Sequence, residues 1–350
     1  EDFAPSVRVA VERWLRAVHL PVDAHLVRDA QPDEPVAEDR IPLASGGYLE
    51  LRHGGTVDVR HHALLERVWA FVRRQNDEFA VEEAARDEGL ILASDAMREI
   101  HHRVVEAARA GLRLLLLGPS GSGKEELARC YHRHSGRSGA FVALNCALFN
   151  KDLLRTELFG AEAGSYTDSK RRILGAVERA HGGTLFLDEI GEMALDLQPM
   201  LLRFLDNCEF ERLGDYGARR RADVRLVCAT NRDLRAVTRR GEFRPDLFFR
   251  ISGRILEIPG LDERPEDVRT YLARRPATGG LPVSETLSAE AWTAVLSHRW
   301  SGNFRELSNF VDGLPRGTAR GAIDATTCRR VLAEVSLTGA GAGADCAGDY

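Results

Sequence analysis

The sequence predicts an α/β protein: a parallel sheet flanked by helices, followed by a small all-helical subdomain and preceded by an α+β module. Three observations carry that expectation. Short apolar strands alternate with helical patterns from about residue 90, the arrangement that gives a parallel sheet covered on both faces. Those strands stop after Pro259, where only helical patterns follow. A glycine-rich turn at Gly118 joins one of the strands to a helix, in the context that a phosphate-binding loop requires.

Taken in order, residues 1–89 form a first module. Val9, Val11, Trp14, Leu15 and Val18 repeat at helical spacing, and a turn-rich stretch from Gln31 to Pro42 follows. Tyr48 to Val59 alternates around Gly54-Gly55 like a hairpin, and Ala63–Val72 and Phe79–Ala85 read as helices. A hairpin followed by two short helices could form a degenerate winged helix, but the reading preferred for this acidic segment is a packing or regulatory module. Residues 90–262 carry the strand candidates Leu112–Leu117, Phe141–Leu144, Thr184–Leu187, Val224–Ala229 and Ile255–Ile258. Helical patterns near Glu266–Arg275, Ser288–Ser297, Asn303–Leu314 and Ala325–Val335 fill a subdomain over 263–335, and 336–350 reads as a flexible, Gly/Ala-rich tail.

Composition narrows the function classes. The chain has 350 residues, 44 % hydrophobic and 29 % charged, enough to bury a core and far from a disordered composition. Its formal charge of −5 divides into −7 for residues 1–90 and +2 for the rest, so neither part is a basic clamp for nucleic acid. Lysine occurs only at Lys124, Lys151 and Lys170, and all other basic residues are arginine. The six cysteines are widely spaced without a C-x-x-C, which argues for a reducing, cytoplasmic setting rather than a disulfide framework or zinc ribbon. No apolar run approaches the roughly 20 residues of a membrane span, and no leader pattern opens the chain. A first residue of Glu1 rather than Met leaves open a fragment or a processed product. The pairs His61-His62 and His101-His102 lack metal-ligand company in the sequence and read as solvated helix surface.

The chemistry concentrates at two motifs. Gly118, Pro119, Ser120, Gly121, Ser122, Gly123, Lys124 and Glu125 match G-x-x-x-x-G-K between a strand and a helix expected to open at Glu126. The glycines let successive amides turn inward, the helix N-terminus adds positive potential, and Lys124 supplies a point charge for outer phosphates. In a chain that otherwise uses arginine, this lysine reads as chemically required. The second motif, Gly182-Gly-Thr-Leu-Phe-Leu-Asp188-Glu189, is an apolar strand ending in two carboxylates. One acid can hold Mg²⁺ while its neighbour orients an attacking water.

Residues 90 to about 315 resemble the AAA+ domain of bacterial enhancer-binding proteins, the ATPase activators of sigma-54 RNA polymerase. The resemblance rests on Gly118–Glu125, where that family itself has Glu after the Lys, on Phe141-Val-Ala-Leu-Asn145-Cys, Glu157-Leu-Phe-Gly160 and Gly182–Gly191, and on Ala229-Thr-Asn231-Arg-Asp-Leu, Phe243-Arg244-Pro-Asp-Leu-Phe-Phe-Arg250 and Trp300-Ser-Gly-Asn-Phe-Arg305-Glu-Leu. It implies an AAA+ P-loop sheet with a helical lid, ATP and Mg²⁺ as ligands, and a homo-hexamer. By resemblance the two motifs above are Walker A and Walker B, Asp188 holds Mg²⁺, and Glu189 polarises the hydrolytic water. Asn145 is the switch that holds Glu189 away until the γ-phosphate is sensed. Asn231 is then the first sensor and Arg305 the second, while Arg244 and Arg250 are arginine fingers that reach a neighbouring subunit's nucleotide.

Two departures shape the functional expectation. That family's sigma-54 contact loop has the signature G-A-F-T-G-A, and this chain has Gly164-Ser165-Tyr166-Thr167-Asp168-Ser169. Gly164, Tyr166 and Thr167 keep the contact chemistry, but Asp168 puts a charge and a Cβ where glycine leaves the backbone free. No DNA-binding helix-turn-helix is evident after the lid, and Arg219–Arg221, the densest basic run, reads as a pore-side or solvated loop. The expected function is an ATP-hydrolysing ring that remodels sigma-54 polymerase. The alternative is an ATP-controlled regulatory or scaffold module acting on another partner. A metabolic kinase is disfavoured, since it would not need the sensor and finger blocks.

Overall fold

The computed structural model describes residues 11, 22–27, 40–42, 48–53, 70, 72, 89–163, 172–215, 217–276, 281–315 and 319–341, and the chain divides into two compact units, 1–87 and 88–350. In the first unit, β1 (Val22–Val27), β2 (Arg40–Pro42) and β3 (Tyr48–His53) form an antiparallel sheet in the order β1-β3-β2. The strand expected at Tyr48 is present. It pairs with Arg40–Pro42, inside the stretch read as turn-rich linker, and with Val22–Val27, to which the sequence pattern gave no element. The remainder of the expected hairpin, 54–59, lies outside the described residues, as do the helical patterns on either side of Ala70 and Val72.

The second unit opens with α1 (Asp95–Ala110), capped by Ser94, whose side-chain oxygen accepts from the Met97 N–H, and closed by Gly111 in the left-handed region. Then come β4 (Leu114–Leu117), α2 (Lys124–His134), β5 (Phe141–Asn145), α3 (Lys151–Phe159), α4 (Ala176–Arg179) and β6 (Thr184–Asp188). Next are α5 (Gln198–Asn207), the short pair β7 (Glu209–Phe210) and β8 (Arg220–Arg221), and β9 (Arg225–Thr230). The order ends with α6 (Leu234–Arg239), α7 (Pro245–Ile251) and β10 (Arg254–Glu257). All five expected strands pair in parallel in the order β10-β4-β9-β6-β5.

Strand β6 shows why the sheet forms. Leu185 and Leu187 face one buried layer with Leu154, Leu201 and Leu226, while Phe186 faces the other and stacks on Phe141 at 6.0 Å. A strand buried on both faces reads as a continuous apolar run, and a parallel sheet supplies both faces. Its ends then converge: β4, β6 and β9 all finish at one edge of the sheet, carrying Gly118, Asp188 and Asn231 there.

After Pro259 the chain is helical: α8 (Pro265–Arg274), α9 (Val283–Thr286), α10 (Ala289–Ser297), α11 (Asn303–Gly313) and α12 (Ala325–Gly341). They close over a separate core containing Tyr271, Trp300, Leu307, Phe310 and Val331. The last helix continues to Gly341, beyond the tail boundary expected at 336, because alanine and leucine near its end sustain a helix despite the glycines. No helix among the described residues is long and apolar enough to cross a membrane.

Two sequence readings need correction. Arg219–Arg221, read as a pore-side or solvated loop, is partly strand: Arg220 and Arg221 lie on β8, where Arg221 pairs with Glu209 at 3.0 Å and Arg220 with Asp215 at 2.7 Å, while the side chains of Arg219 and Arg221 remain exposed. His102 is exposed as expected, but His101 is only 7 % exposed. The helical phase explains this, since Met97, His101, Val104 and Ala108 share the stripe of α1 that faces the interior.

Candidate functional site

The phosphate loop follows β4 and hands over to α2, which begins at Lys124 rather than Glu126. Gly121 and Gly123 have φ of 73° and 99°, conformations that an L side chain adopts only under strain. A Cβ on Gly121 would also lie 2.5 Å from the Gly302 carbonyl oxygen, so the turn must be bare there. Lys124 is only 7 % exposed and folds back along the loop, its Nζ donating to the carbonyls of Gly118 at 2.8 Å and Pro119 at 3.0 Å. Burial holds its pKa below the ordinary lysine value, Glu189 and Asp188 oppose that effect, and Arg305 adds to it. An incoming phosphate would remove the strain on this charge.

Asp188 ends β6 and Glu189 follows at φ 48°, a left-handed non-glycine position that turns consecutive acids toward the loop. Burial, and next the neighbouring Glu189 charge, push the Asp188 carboxyl above the usual range. A raised carboxylate pKa means that ionised Asp188 weighs against the fold at neutral pH, and that the penalty fades as pH falls through the raised value and is gone below the ordinary carboxylate value. A cation relieves the same crowding at neutral pH. Carboxylate oxygens are the donor type that hard Mg²⁺ takes, so the residues fit that ion.

The amide of Asn145 donates to Asp188 Oδ2 at 3.3 Å. The resemblance implied a contact with Glu189 instead. Here Glu189 Oε2 accepts from the Thr230 hydroxyl at 3.4 Å and the Asn231 backbone N–H at 3.2 Å. The parallel register explains the difference: Asn145 lies directly opposite Asp188 across β5 and β6, and Glu189 is one residue further along a turning chain. Asn231 therefore meets the acid through its main chain.

Arg305 reaches the loop from the lid, donating to Ser120 Oγ at 3.1 Å within the same chain. Its neighbours do as much. The Asn303 amide donates to the Ser120 carbonyl at 2.9 Å, the Phe304 N–H donates to the Gly121 carbonyl at 3.0 Å, and Asn303 Oδ1 accepts from the Leu261 N–H at 2.7 Å. Beneath them Arg264 is fully buried, donates to the Ser122 carbonyl at 2.8 Å and pairs with Asp267 at 3.4 Å. Asp267 in turn accepts from the Ser94 N–H at 2.9 Å. Burial lowers the pKa of the arginine and raises that of the acid, which is the mark of a charge pair removed from water. Asp267→Asn leaves that guanidinium buried without its counter-charge, and we expect it to cost about 3–5 kcal/mol of stability, read as a fall in the thermal unfolding midpoint.

These groups enclose a cleft of about 530 Å³, lined by the polar Ser120–Glu126, Asn145, Asp188, Glu189, Arg264 and Arg305 and by the apolar or aromatic Leu90, Ile91, Tyr271 and Phe304. A lining that combines converging cations and acids with apolar and aromatic side chains suits a phosphorylated molecule with a flat base. The sequence motifs did not indicate Leu90, Ile91, Tyr271, Arg264 or Asn303. Asn303 lay inside a recognised block without a role, and Pro265 at the start of α8 was the available sign that Arg264 sits at a helix entrance. Glu125 lines the cleft but pairs along the helix with Arg129 at 2.6 Å, so its carboxylate takes the place of a metal-binding hydroxyl without engaging the loop.

Arg244 and Arg250 do not line this cleft. Arg244 makes a two-pronged pair with Asp246 at 2.8 and 3.1 Å, and Arg250 lies 2.9 Å from Asp206 and donates to the Leu205 carbonyl at 3.0 Å. Between them on α7, Phe249 is 76 % exposed. Gly164, Tyr166, Thr167 and Asp168 lie outside the described residues. The stem of their loop is firm: Ala161 bridges both Ile173 and Leu213, and the buried Arg212 holds Glu178 and Glu162.

Comparison with known proteins gives a consistent result. Residues 90–257 match the family described as "Sigma-54 interaction domain". The chain is 39 % identical over 323 residues to the alginate biosynthesis transcriptional regulatory protein AlgB of Pseudomonas putida, covering 88 % of this chain and 66 % of that protein. That share is larger than residues 90–350 alone can supply, so the likeness extends into the first unit. The chain is also 38 % identical over 253 residues to the DNA-binding transcriptional regulator NtrC of Proteus hauseri, covering 71 % of this chain and 53 % of that protein. Among solved structures, NtrX from Brucella abortus in complex with ATP is similar at 30 % identity and a TM-score of 0.61, over 78 % of this chain and 64 % of that one. The chain thus spans about two thirds or less of the length of these relatives.

Proposed function

Since the chain belongs to the sigma-54 interaction-domain family of transcriptional activators, with its AAA+ fold, we propose that it is an ATP-hydrolysing, ring-forming regulator that remodels sigma-54 RNA polymerase. The observation that carries the proposal is the convergence of Lys124, Asp188, Glu189 and Arg305 on one cleft beneath a bare glycine turn. ATP would place its phosphates on the loop amides and its base between the apolar residues at 90–91 and Tyr271. Asp188 would hold Mg²⁺, which supplies charge neutralisation at the β- and γ-phosphates.

The remaining chemistry belongs to the chain's own groups. Glu189 accepts a hydrogen bond from the water that attacks the γ-phosphorus, on the side away from the leaving ADP oxygen. Thr230 and the Asn231 N–H fix its carboxylate, which lowers the reorganisation needed when the water arrives. Lys124 exchanges its two carbonyl partners for phosphate oxygens. Arg305 completes the charge from the same chain, whereas Arg244 and Arg250 would act on the nucleotide of a neighbouring subunit in a homo-hexamer. The exposed Phe249 beside them supports a protein contact at that surface.

The partner is tested at the loop over 164–169. A carboxylate at a protein contact must be desolvated or matched, at roughly 1–3 kcal/mol when it is not. Changing Asp168 to Gly together with Ser169 to Ala should strengthen capture of sigma-54 in the presence of a transition-state nucleotide analogue, while ATP turnover stays within about twofold. Equal capture by both chains would make Asp168 a neutral variation. Capture by neither would favour the scaffold reading, in which the ATP-controlled loop serves another partner.

A further inference from the structure

On the side of α2 that packs against α1, remote from the phosphate loop, three side chains of metal-ligating type come together. Cys130 and His134 stand one helical turn apart on α2, so both project from one face. His101 approaches from the buried stripe of α1. One donor atom from each of the three lies within 4.8 Å of the others, and the two imidazole rings meet edge to face with centroids 6.3 Å apart. Cys130 is fully buried and His134 partly exposed, so the cluster has a dry thiol end and a side open to solvent.

We propose that His101, Cys130 and His134 form a transition-metal site of the thiolate–bis-imidazole type, suited to Zn²⁺. Bonds of about 2.0–2.3 Å in tetrahedral geometry hold donors roughly 3.3–3.8 Å apart. The present spacing, within 4.8 Å, exceeds that range by about one ångström at most, so an ion would draw the donors together. The ligand types set the selectivity: sulfur and imidazole suit zinc and its neighbours in the first transition row, whereas the carboxylates of the nucleotide cleft suit Mg²⁺. Binding breaks the Cys130 S–H bond, releases its proton to solvent and forms a sulfur–metal bond, with no change of oxidation state. The fourth position faces the exposed edge at His134, where water completes the shell. His134 ends α2 and Cys130 lies one turn before it, close to a helix C-terminus whose partial negative charge favours a cation.

The test uses the full chain stripped of metal with a chelator and titrated with Co²⁺ as a spectroscopic substitute. One cobalt per chain is expected, with a sulfur-to-cobalt charge-transfer band and tetrahedral visible bands that Zn²⁺ abolishes and excess Mg²⁺ does not. Cys130→Ser should lose the charge-transfer band, and His101→Asn should weaken binding by at least about tenfold, since even outer-shell changes at such sites cost that much. His102→Ala, on the exposed neighbour, should change neither. A thiolate band that survives in Cys130→Ser, or no band in the wild type, overturns the proposal. Should the variants fail to fold, X-ray absorption on the zinc-loaded wild type decides the matter: one sulfur and two nitrogens support the site, and a shell without sulfur refutes it.

Discussion

Glu189→Gln should leave a chain that binds ATP as tightly as the wild type and turns it over about 10²–10⁴-fold more slowly, the usual worth of a positioned acid or base. Glutamine keeps the length of the side chain and an oxygen that can accept from the Thr230 hydroxyl and the Asn231 N–H, so the left-handed turn at 189 retains its support. What it lacks is the charge that draws a proton from water. Binding depends instead on the loop amides and Lys124, which the substitution does not touch. Equilibrium binding of a fluorescent ATP analogue and phosphate release at saturating ATP separate the two quantities. Turnover at the wild-type rate would remove Glu189 from the mechanism.

Arg250→Ala should reduce turnover on the order of 10³-fold, the loss typical of a missing arginine finger. A single chain holds Arg250 against Asp206 and the Leu205 carbonyl, outside its own cleft. A large effect therefore requires a second chain. Three further results belong to the same assignment. Turnover per chain should rise with protein concentration, Arg250→Ala should retain ATP, and mixing it with Glu189→Gln should recover part of the activity. In such mixtures some interfaces join an intact finger to an intact acid. Mixed rings without recovery would mean that the arginine acts only within its own chain. An Arg250→Lys variant that folds but remains slow would show that the planar guanidinium, rather than charge alone, is needed.

What could be read from the sequence was whatever a short segment dictates by itself. The five strands are short, mostly apolar runs, and the phosphate loop needs glycine at fixed positions because its backbone turns through conformations that other residues resist. Contacts between distant segments left no such trace. Ser94 meets Asp267 across 173 positions, and nothing in Arg264-Pro265-Glu266-Asp267 announces that two of its charges are buried. Asn145 was placed correctly at a strand end, yet its partner depends on register, which put Asp188 opposite it. His101 was misread because adjacent histidines were treated as a pair, although residues next to each other on a helix point about 100° apart. Strand β1 of the first sheet escaped notice because Val22-Asp-Ala-His-Leu-Val alternates weakly and its partner lies a turn-rich stretch away.

The bonds from Asn303 and Phe304 to the carbonyls of Ser120 and Gly121 divide the mould of the phosphate loop between two stretches of chain 183 residues apart. A loop shaped wholly by its own strand and helix can pass between genes as a cassette. This one cannot, because a foreign lid would set an unmatched surface against two backbone oxygens and against Gly121, where there is no room for even a methyl group. Drift at 118–124 and drift at 300–305 are therefore tied to each other. Exchanging the lid alone, by a joint near Gly260, should disturb the phosphate loop more than a joint placed outside residues 90–315.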